Sequence, residues 1–409
     1  MKIIHTSDWH LGKKLYGKSR YEETEKFLDW LIETTESESA DALIISGDVF
    51  DTISPSNRAL EQYYGFLYKI STSCCENVII IAGNHDSPSL LNAPRELLKV
   101  FNVHVIASAS ENLADEVLII QKKDKTPGAV VCAVPYLREK DLRIVFEDES
   151  PDDKSAQMLK GIKEHYSKVI AAALEICKSH SGRLSLIVTG HLFAAGGMTL
   201  SGDGVREIYV GSLERVGCDI FPDEIDYLAL GHLHIPQKVF GCDCRRYSGS
   251  PIPVGFSEAN QKKMVLSVDF SGEKPSVKEI YVPQFQKLIT ITGDIEKIRD
   301  EIFSLRISGA KTLAEVIYTG DALQGDLRGL ILEMTKDSCV EVLRIKNESL
   351  AAGILESRFE GESLESLSEY DVFKRCLQSA GVTNEQKEEL FQTFKETLSL
   401  LHEEDLYSE

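Results

Sequence analysis

Four aliphatic runs in this chain break off in the same way: ALIISGD (Ala42–Asp48), NVIIIAGNHD (Asn77–Asp86), LSLIVTGH (Leu184–His191) and DYLALGHLH (Asp226–His234). A fifth, KIIHTSDWH (Lys2–His10), ends on the same residue types without the glycine. Runs this apolar, rich in Ile and Val, read as strands buried on both faces, which is the condition of a sheet covered by helices. Between the first two strands, YEETEKFLDWLIETTE places Tyr21, Phe27, Leu28, Leu31 and Ile32 near one helical face, as a crossover helix requires. The pattern therefore predicts α/β architecture. In open α/β sheets the carboxyl ends of the strands line the ligand crevice, so residues far apart in sequence converge there.

What converges is a set of metal-ligand types. Asp8, His10, Asp48, Asn84, His191, His232 and His234 offer seven donors, more than the four of a closed structural zinc site. The number points to two ions, with Asp48 as the bridging carboxylate. Imidazole, carboxylate and amide oxygen together suit Mn²⁺, Fe²⁺ or Zn²⁺ better than Ca²⁺. Two such ions about 3.5–4 Å apart hold a phosphodiester and lower the pKa of a bound water, so the implied reaction is hydrolysis at phosphorus. His85 follows a residue that already fills a ligand position, which leaves its imidazole to donate a proton to the leaving oxygen, with Asp86 or Asp51 orienting it. A glycine before the polar residue gives room for a sharp turn and a close approach. Singly, each histidine would be an ordinary strand-end residue; the joint pattern is what argues for a site. His5, His104, His165, His180 and His402 fall outside it and read as structural or solvated. The run VVCAVPYL (Val130–Leu137) also reads as a strand, but ends without a ligand type.

The chain of 409 residues predicts more than one domain. Residues 1–283 carry the strands and the motifs; RRYSGSPIPVGFSEANQKKMVLSVDF within them reads as two strands around a Gly/Pro-rich bend, adding antiparallel edge material. Residues 284–350 read as a small α+β unit and 351–409 as a helical segment. There, Leu390, Phe391, Phe394, Leu398 and Leu401 form an apolar stripe and Thr383 with Gln386 fits a capping box. The stripe either packs on its own domain or docks a partner. No apolar run reaches the roughly 20 residues of a membrane span, and nothing resembles a signal peptide, so the expected location is the cytoplasm. Nine scattered cysteines fit reduced thiols, and Cys242 with Cys244 lacks the second pair a zinc site needs. A net charge of −20 argues against a strong general grip on nucleic acid, although a basic patch can be local, for example in GKKLYGKSR (Gly12–Arg20).

The motifs DWH, GDVFD, GNHD, GH and GHLH resemble those of the calcineurin-like metallophosphoesterases, and HTSDWHLGK, LIISGDVFDTISPS, YLALGHLHIPQ and RRYSGSPIPVGFSE are similar to the bacterial SbcD-type nuclease subunits. The resemblance implies a sandwich of two β-sheets flanked by helices, followed by a capping domain. It implies Asp8, His10, Asp48 and His234 around one metal and Asp48, Asn84, His191 and His232 around the other, usually Mn²⁺, with His85 as proton donor. Asp51 stands where other relatives often carry histidine. Partners implied are DNA and an SbcC-type ATPase with a long coiled coil, which binds the ATP. Two copies of each subunit would assemble, with a homodimer contact in the nuclease domain. The implied activities are 3′→5′ double-strand exonuclease and hairpin or single-strand endonuclease cleavage. Two other classes compete. A phosphatase or another phosphodiesterase would share the metal core, but serine/threonine phosphatases usually show GDxxDRG and GNHE where this chain has GDVFDTI and GNHD. A non-catalytic scaffold of the same fold is disfavoured because no ligand position is lost.

Overall fold

A computed structural model describes residues 1–110, 112–142, 151–194, 216–320 and 326–348, with 370, 373–374, 377 and 390–395 from the rest of the C-terminal region. The chain divides into two compact units, Met1–Leu288 and Ile289–Glu409.

The first unit begins with β1 (Lys2–Thr6), a short hairpin of β2 (Lys14–Leu15) and β3 (Lys18–Ser19), helix α1 (Tyr21–Ser37), β4 (Ala42–Ser46), α2 (Asn57–Ser71) and β5 (Asn77–Ile81). Short helices α3 (Pro88–Asn92) and α4 (Arg95–Lys99) lead to β6 (Val103–Ile106). The second half holds β7 (Val117–Gln121), β8 (Pro127–Cys132), α5 (Glu139–Leu142), α6 (Pro151–Ser179), β9 (Ser185–His191), β10 (Tyr227–Gly231), β11 (Gln237–Val239), β12 (Cys242–Tyr247), β13 (Met264–Asp269) and β14 (Ser276–Tyr281). These strands form two six-stranded sheets, ordered β14-β13-β1-β4-β5-β6 and β11-β12-β10-β9-β8-β7. Strands β1, β4, β5 and β6 run parallel in the first sheet and β8, β9, β10 and β12 in the second.

The strand period of two explains why the central runs are apolar throughout. Ile3, Ala42, Ile44, Ile79 and Ile81 point inward and meet Val131, Ile187, Tyr227 and Ala229 of the other sheet. Their neighbours Ile4, Leu43, Ile45, Val78 and Ile80 point outward onto Phe27, Leu31, Phe66 and Ile70 of α1 and α2. In the second sheet Val130, Leu186, Val188 and Leu228 face Ile162, Tyr166, Val169 and Ile170 of α6. The result is a helix–sheet–sheet–helix sandwich. Helix α1 buries Phe27, Leu28 and Leu31, while Tyr21 and Ile32 are half-buried against the same core.

One sequence expectation is corrected. β12 and β13 do not pair with each other and neither is an edge strand: β12 lies parallel to β10 in the second sheet, and β13 is antiparallel to β1 in the first. The Gly/Pro-rich stretch between them crosses from one sheet to the other, and it carries Ser250, Glu258 and Lys263 beneath the ligand end of the sandwich.

In the second unit a three-stranded sheet contains β15 (Lys287–Gly293), β16 (Thr312–Tyr318) and β17 (Val340–Asn347), with β16 and β17 parallel. Helices α7 (Ile295–Ser308) and α8 (Leu327–Thr335) contribute Ile298, Ile302, Leu305 and Ile331 to its core, against Ile291, Ala314, Val316 and Tyr318. Asp294 caps α7 through Lys297 N and Gly309 ends it in the left-handed conformation. Thr383, Gln386, Leu398 and Leu401 lie outside the described residues. Of the apolar stripe, Phe394 stacks on Phe373 with ring centroids 3.9 Å apart and Phe391 also contacts Tyr370, while Leu390 is exposed.

Candidate metal centre

All seven expected ligands lie in one cleft at the carboxyl ends of β1, β4, β5, β9 and β10. Asp8, His10, Asp48, His191 and His234 are almost completely buried. Four of the seven, Asp8, His10, Asp48 and His232, have positive φ angles of 53°, 46°, 50° and 100°, a region that non-glycine residues enter rarely and mostly where function demands it. Gly47 takes φ +88°, which favours glycine, while Gly83 and Gly231 serve close approach. A Cβ on Gly83 would lie 2.1 Å from Asp48 Oδ1, and one on Gly231 would lie 1.9 Å from the Ser46 carbonyl oxygen.

Two groups of donors face each other. His10 Nε2 and His234 Nε2 are 3.1 Å apart, and Asp8 closes this group. Asn84 Oδ1 lies 3.0 Å from His191 Nε2 and 3.1 Å from His232 Nδ1. Between the groups stands Asp48, whose Oδ2 is 3.7 Å from His10 Nε2 and 3.3 Å from His191 Nε2. Its other oxygen accepts the backbone N–H of His85 at 2.9 Å.

The outer contacts orient the rings. His191 Nδ1 donates to the Ser46 carbonyl at 2.9 Å, which turns its Nε2 toward the Asn84 oxygen and Asp48 Oδ2. His10 Nδ1 faces Asp51 Oδ1 and His234 Nδ1 faces Glu258 Oε1, each at 3.4 Å, which turns the two Nε2 atoms toward each other. Imidazole nitrogens, carboxylates and an amide oxygen brought within about 3–4 Å of one another in a buried cleft are the donor types of a metal site, and this set fits a metal in each group. The electrostatics agree. Burial opposes charge on His191, yet the Asp48 carboxylate raises it to about 9, while burial and then the His191 charge push His232 down to about 3. Burial would raise Asp48, but His191 and His10 hold it well below the ordinary carboxylate range.

His85 is outside these two groups, although it forms a further cluster of ligand types with His10 and Asp51. Its Nδ1 donates to the backbone carbonyl of Asp51 at 2.8 Å and its ring packs edge-on against His10, which leaves Nε2 as the nitrogen free to meet a substrate. Asp51 thus positions two histidines, through its carbonyl and its carboxylate, and Lys13 Nζ pairs with the same carboxylate at 2.9 Å. Asp86 departs from the expected role. Its carboxylate accepts backbone N–H groups from Gly83 at 2.8 Å, Phe50 at 2.9 Å and Val49 at 3.1 Å, and makes no contact with the His85 ring. An acid buried between two loops bonds to the unpaired backbone donors nearest to it, and the result here is a staple between GDVFD and GNHD.

Several contributors lay outside the motifs. Glu258, buried behind His234, is held below its ordinary pKa by His234 and Lys263 despite burial, and Lys263 Nζ also donates to the His234 carbonyl at 3.0 Å and to Ser250 Oγ at 3.0 Å. The sequence offers a signal only in retrospect: Glu and Lys in an otherwise Gly/Pro-rich bend. The basic stretch at Gly12–Arg20 is less exposed than expected, because Arg20 is buried, bonded to Glu23 and to the Pro253 carbonyl. His5 bonds Tyr227 and His165 bonds Glu116, both away from the cleft. Among the described residues no cysteine joins a metal-ligand group, and Cys244 contacts the Pro275 carbonyl.

Two parallel-cored sheets with Asp, His and Asn gathered at the strand ends define a metal-dependent phosphoesterase, and residues 1–236 match the calcineurin-like phosphoesterase family. Residues 284–380 match the family described as type 5 capsule protein repressor C-terminal domain, SbcD_C. The chain is 36% identical over 405 residues to the SbcD component of the nuclease SbcCD of Escherichia coli strain K12, covering 98% of each chain. It is 34% identical over 292 residues to the protein of the same name in Bacillus subtilis strain 168, covering 71% of each. With that of Rhodobacter capsulatus the identity is 34% over 281 residues, covering 66% of this chain and 67% of the relative. The chain belongs to the calcineurin-like phosphoesterases and, within them, to the SbcD-type nuclease subunits.

Proposed function

We propose that this chain hydrolyses DNA phosphodiesters with two divalent ions, Mn²⁺ by choice, as the nuclease subunit of a complex with an SbcC-type ATPase. The observation that carries the proposal is the paired donor set: imidazole nitrogens and the Asn84 amide oxygen gathered on either side of the single oxygen Asp48 Oδ2. Asp8, His10, Asp48 and His234 would hold one ion and Asp48, Asn84, His191 and His232 the other. Bound there, the ions would supply charge neutralisation at the phosphate and an acidified water. With Nδ1–H held by the Asp51 carbonyl, His85 acts as the doubly protonated ring, gives its Nε2 proton to the departing oxygen and is left neutral. Asp86 supports the chemistry only by holding the two loops together.

The substrates follow the SbcD-type reading: double-stranded ends cut 3′→5′, and hairpins and single strands cut internally, in DNA recombination, replication and repair in the cytoplasm. ATP binds to the partner, whose long coiled-coil subunit also supplies duplex grip that a chain of net charge −20 lacks. Two copies of each subunit assemble, with the nuclease domains in contact. Exposed Tyr64 and Tyr68 of α2 and Leu97, Val100 and Phe101 around α4 favour such a contact in the outer helical layer. Residues 1–283 form the nuclease domain, 284–350 the capping domain and 351–409 the segment that docks the ATPase.

The test is cleavage of a hairpin, a duplex and a single-stranded DNA against a generic phosphodiester, with Mn²⁺, Mg²⁺ and Zn²⁺ compared, with and without the ATPase. DNA cleavage that is strongest with Mn²⁺ and abolished by Asp48→Ala is expected. Equal cutting by Asp48→Ala would refute the two-metal site, and a generic phosphodiester as sole substrate would refute the nuclease assignment.

A further inference from the structure

Behind the first group of donors lies a buried carboxylate whose two oxygens are used unequally. Glu258 closes a 3₁₀ turn, Phe256–Glu258, in the link between β12 and β13. Its Oε2 accepts Val254 N at 3.1 Å, Ser250 Oγ at 3.2 Å and the Lys263 ammonium. Its Oε1 is buried and, among the described residues, makes no hydrogen bond; it faces His234 Nδ1 at 3.4 Å. Asp86 shows what a structural acid does in this fold, since both of its oxygens are taken by backbone N–H groups. Glu258 instead keeps one oxygen turned to an imidazole.

The surroundings hold that oxygen in place. Lys263 Nζ also donates to the His234 carbonyl and to Ser250 Oγ, each at 3.0 Å, and Ser250 N donates to the same carbonyl at 3.2 Å. The link comes this near at Gly249, φ +72°, where a Cβ would lie 2.7 Å from the His234 carbonyl oxygen. Ring and backbone of His234 are therefore both gripped by one buried ion pair. An imidazole that gives Nε2 to a metal carries its proton on Nδ1, and a carboxylate behind that nitrogen orients the ring and makes it a stronger donor. The acceptor behind His191 is the neutral Ser46 carbonyl, so the two ligand groups are not supported alike.

We infer that Glu258, clamped by Lys263, is a positioning residue for one of the two ions: it acts through His234 on the ion of the first group and not on the one held with Asn84, His191 and His232. This rests on the two-ion reading above and is independent of which phosphodiester is cut. Glu258 stands behind a ligand rather than in the cleft, so its removal reads out as weaker binding of one ion out of two.

The experiment measures Mn²⁺ bound per full chain by equilibrium dialysis, with the urea midpoint of metal-free protein as a check on folding. Wild type should bind two ions. Glu258→Gln should keep one at its wild-type affinity and bind the other about tenfold more weakly, equivalent to about 1.4 kcal/mol. In a His234→Ala background, where the ring it acts through is gone, the same substitution should change Mn²⁺ affinity by less than about twofold. Gln leaves the Lys263 charge buried without its partner, so if the single variant does not fold, Glu258→Gln/Lys263→Met, which removes both charges, takes its place with the same outcomes. Two ions at wild-type affinity in the folded variant overturn the inference and leave the two-metal reading standing. Equal weakening of both ions, or an equal loss with and without the His234 ring, overturns it too, since either marks a general structural role. A wild-type chain that binds only one ion overturns the two-metal reading itself.

Discussion

Replacing Asp86 separates a structural carboxylate from a chemical one. Asp86→Ala removes the acceptor of three backbone N–H groups, on Gly83, Phe50 and Val49, all of them in buried residues. An orphaned buried donor costs roughly 1–3 kcal/mol, so even the lower figure gives about 3 kcal/mol in total. Asp86→Asn should cost less than half of that. Its amide oxygen can still serve the two donors on Oδ2, only Phe50 N is left facing an NH₂, and the substitution removes a carboxylate that burial and Asp48 push up to about 6. Urea unfolding of metal-free protein, followed by tryptophan fluorescence, reports on the right unit, since both tryptophans, Trp9 and Trp30, lie in it and Trp9 packs on Phe27 and Phe66. With a slope of about 3 kcal/mol per molar urea, a loss of about 3 kcal/mol moves the midpoint by about 1 M. If Asp86→Ala unfolds within about 0.5 kcal/mol of wild type yet cuts as poorly as a His85 variant, the staple is wrong and Asp86 takes part in the chemistry.

Three further outcomes are expected. His85→Gln should keep its metals and lose about 10²–10⁴-fold in cleavage rate, and metal analysis checks it: loss of one ion per chain would move His85 into the ligand shell. Gly83→Ala forces Asp48 or its loop to move, since the new Cβ would lie 2.1 Å from Oδ1, and should lower metal content and cost about 1–3 kcal/mol; calorimetry with metal titration reads both. His5 is buried and its pKa falls to about 3, mainly by desolvation, so the unfolded chain binds a proton near pH 6.5 that the folded chain refuses. Stability from this residue is therefore present above pH 6.5 and lost on acidification, by about 2 kcal/mol at pH 5. In metal-free protein, wild type should lose that much more than His5→Gln between pH 7 and 5; parallel losses would show that His5 titrates normally.

The sandwich and the ligand cleft were legible because strands covered on both faces tolerate almost no polar residue. A run such as VIIIAGNHD therefore announces both its burial and the place where burial ends. Pairing partners were not legible. β12 and β13 are neighbours in sequence with a turn-rich link, which is what a hairpin looks like, but the link spans two sheets. Nor could periodicity separate Asp86 from Asp48. Both end apolar runs, and only the loop geometry decides that one meets backbone donors and the other imidazoles.

The donor set is divided between the sheets, and this makes their relative placement part of the chemistry. Asp8, His10, Asp48 and Asn84 follow strands of the first sheet, whereas His191, His232 and His234 follow strands of the second. Each of the two proposed ligand sets takes from both. The layer between the sheets, built from residues such as Ile44, Ile79, Val131 and Ile187, is apolar and therefore attractive without being directional. It resists separation more than it resists sliding, and a half-site displaced by an ångström would not close around an ion. Directional contacts at the ligand end supply what the apolar layer lacks. Ser46 Oγ donates to the Ala229 carbonyl at 3.1 Å, the Ser46 carbonyl accepts His191 Nδ1, and Asp8 Oδ1 accepts His232 N at 3.0 Å. Ser46 lies in the first sheet and bonds twice to the second, and it can come that near only because Gly231 carries no side chain. The glycines before the ligands thus set the distance at which the two halves of the metal centre meet.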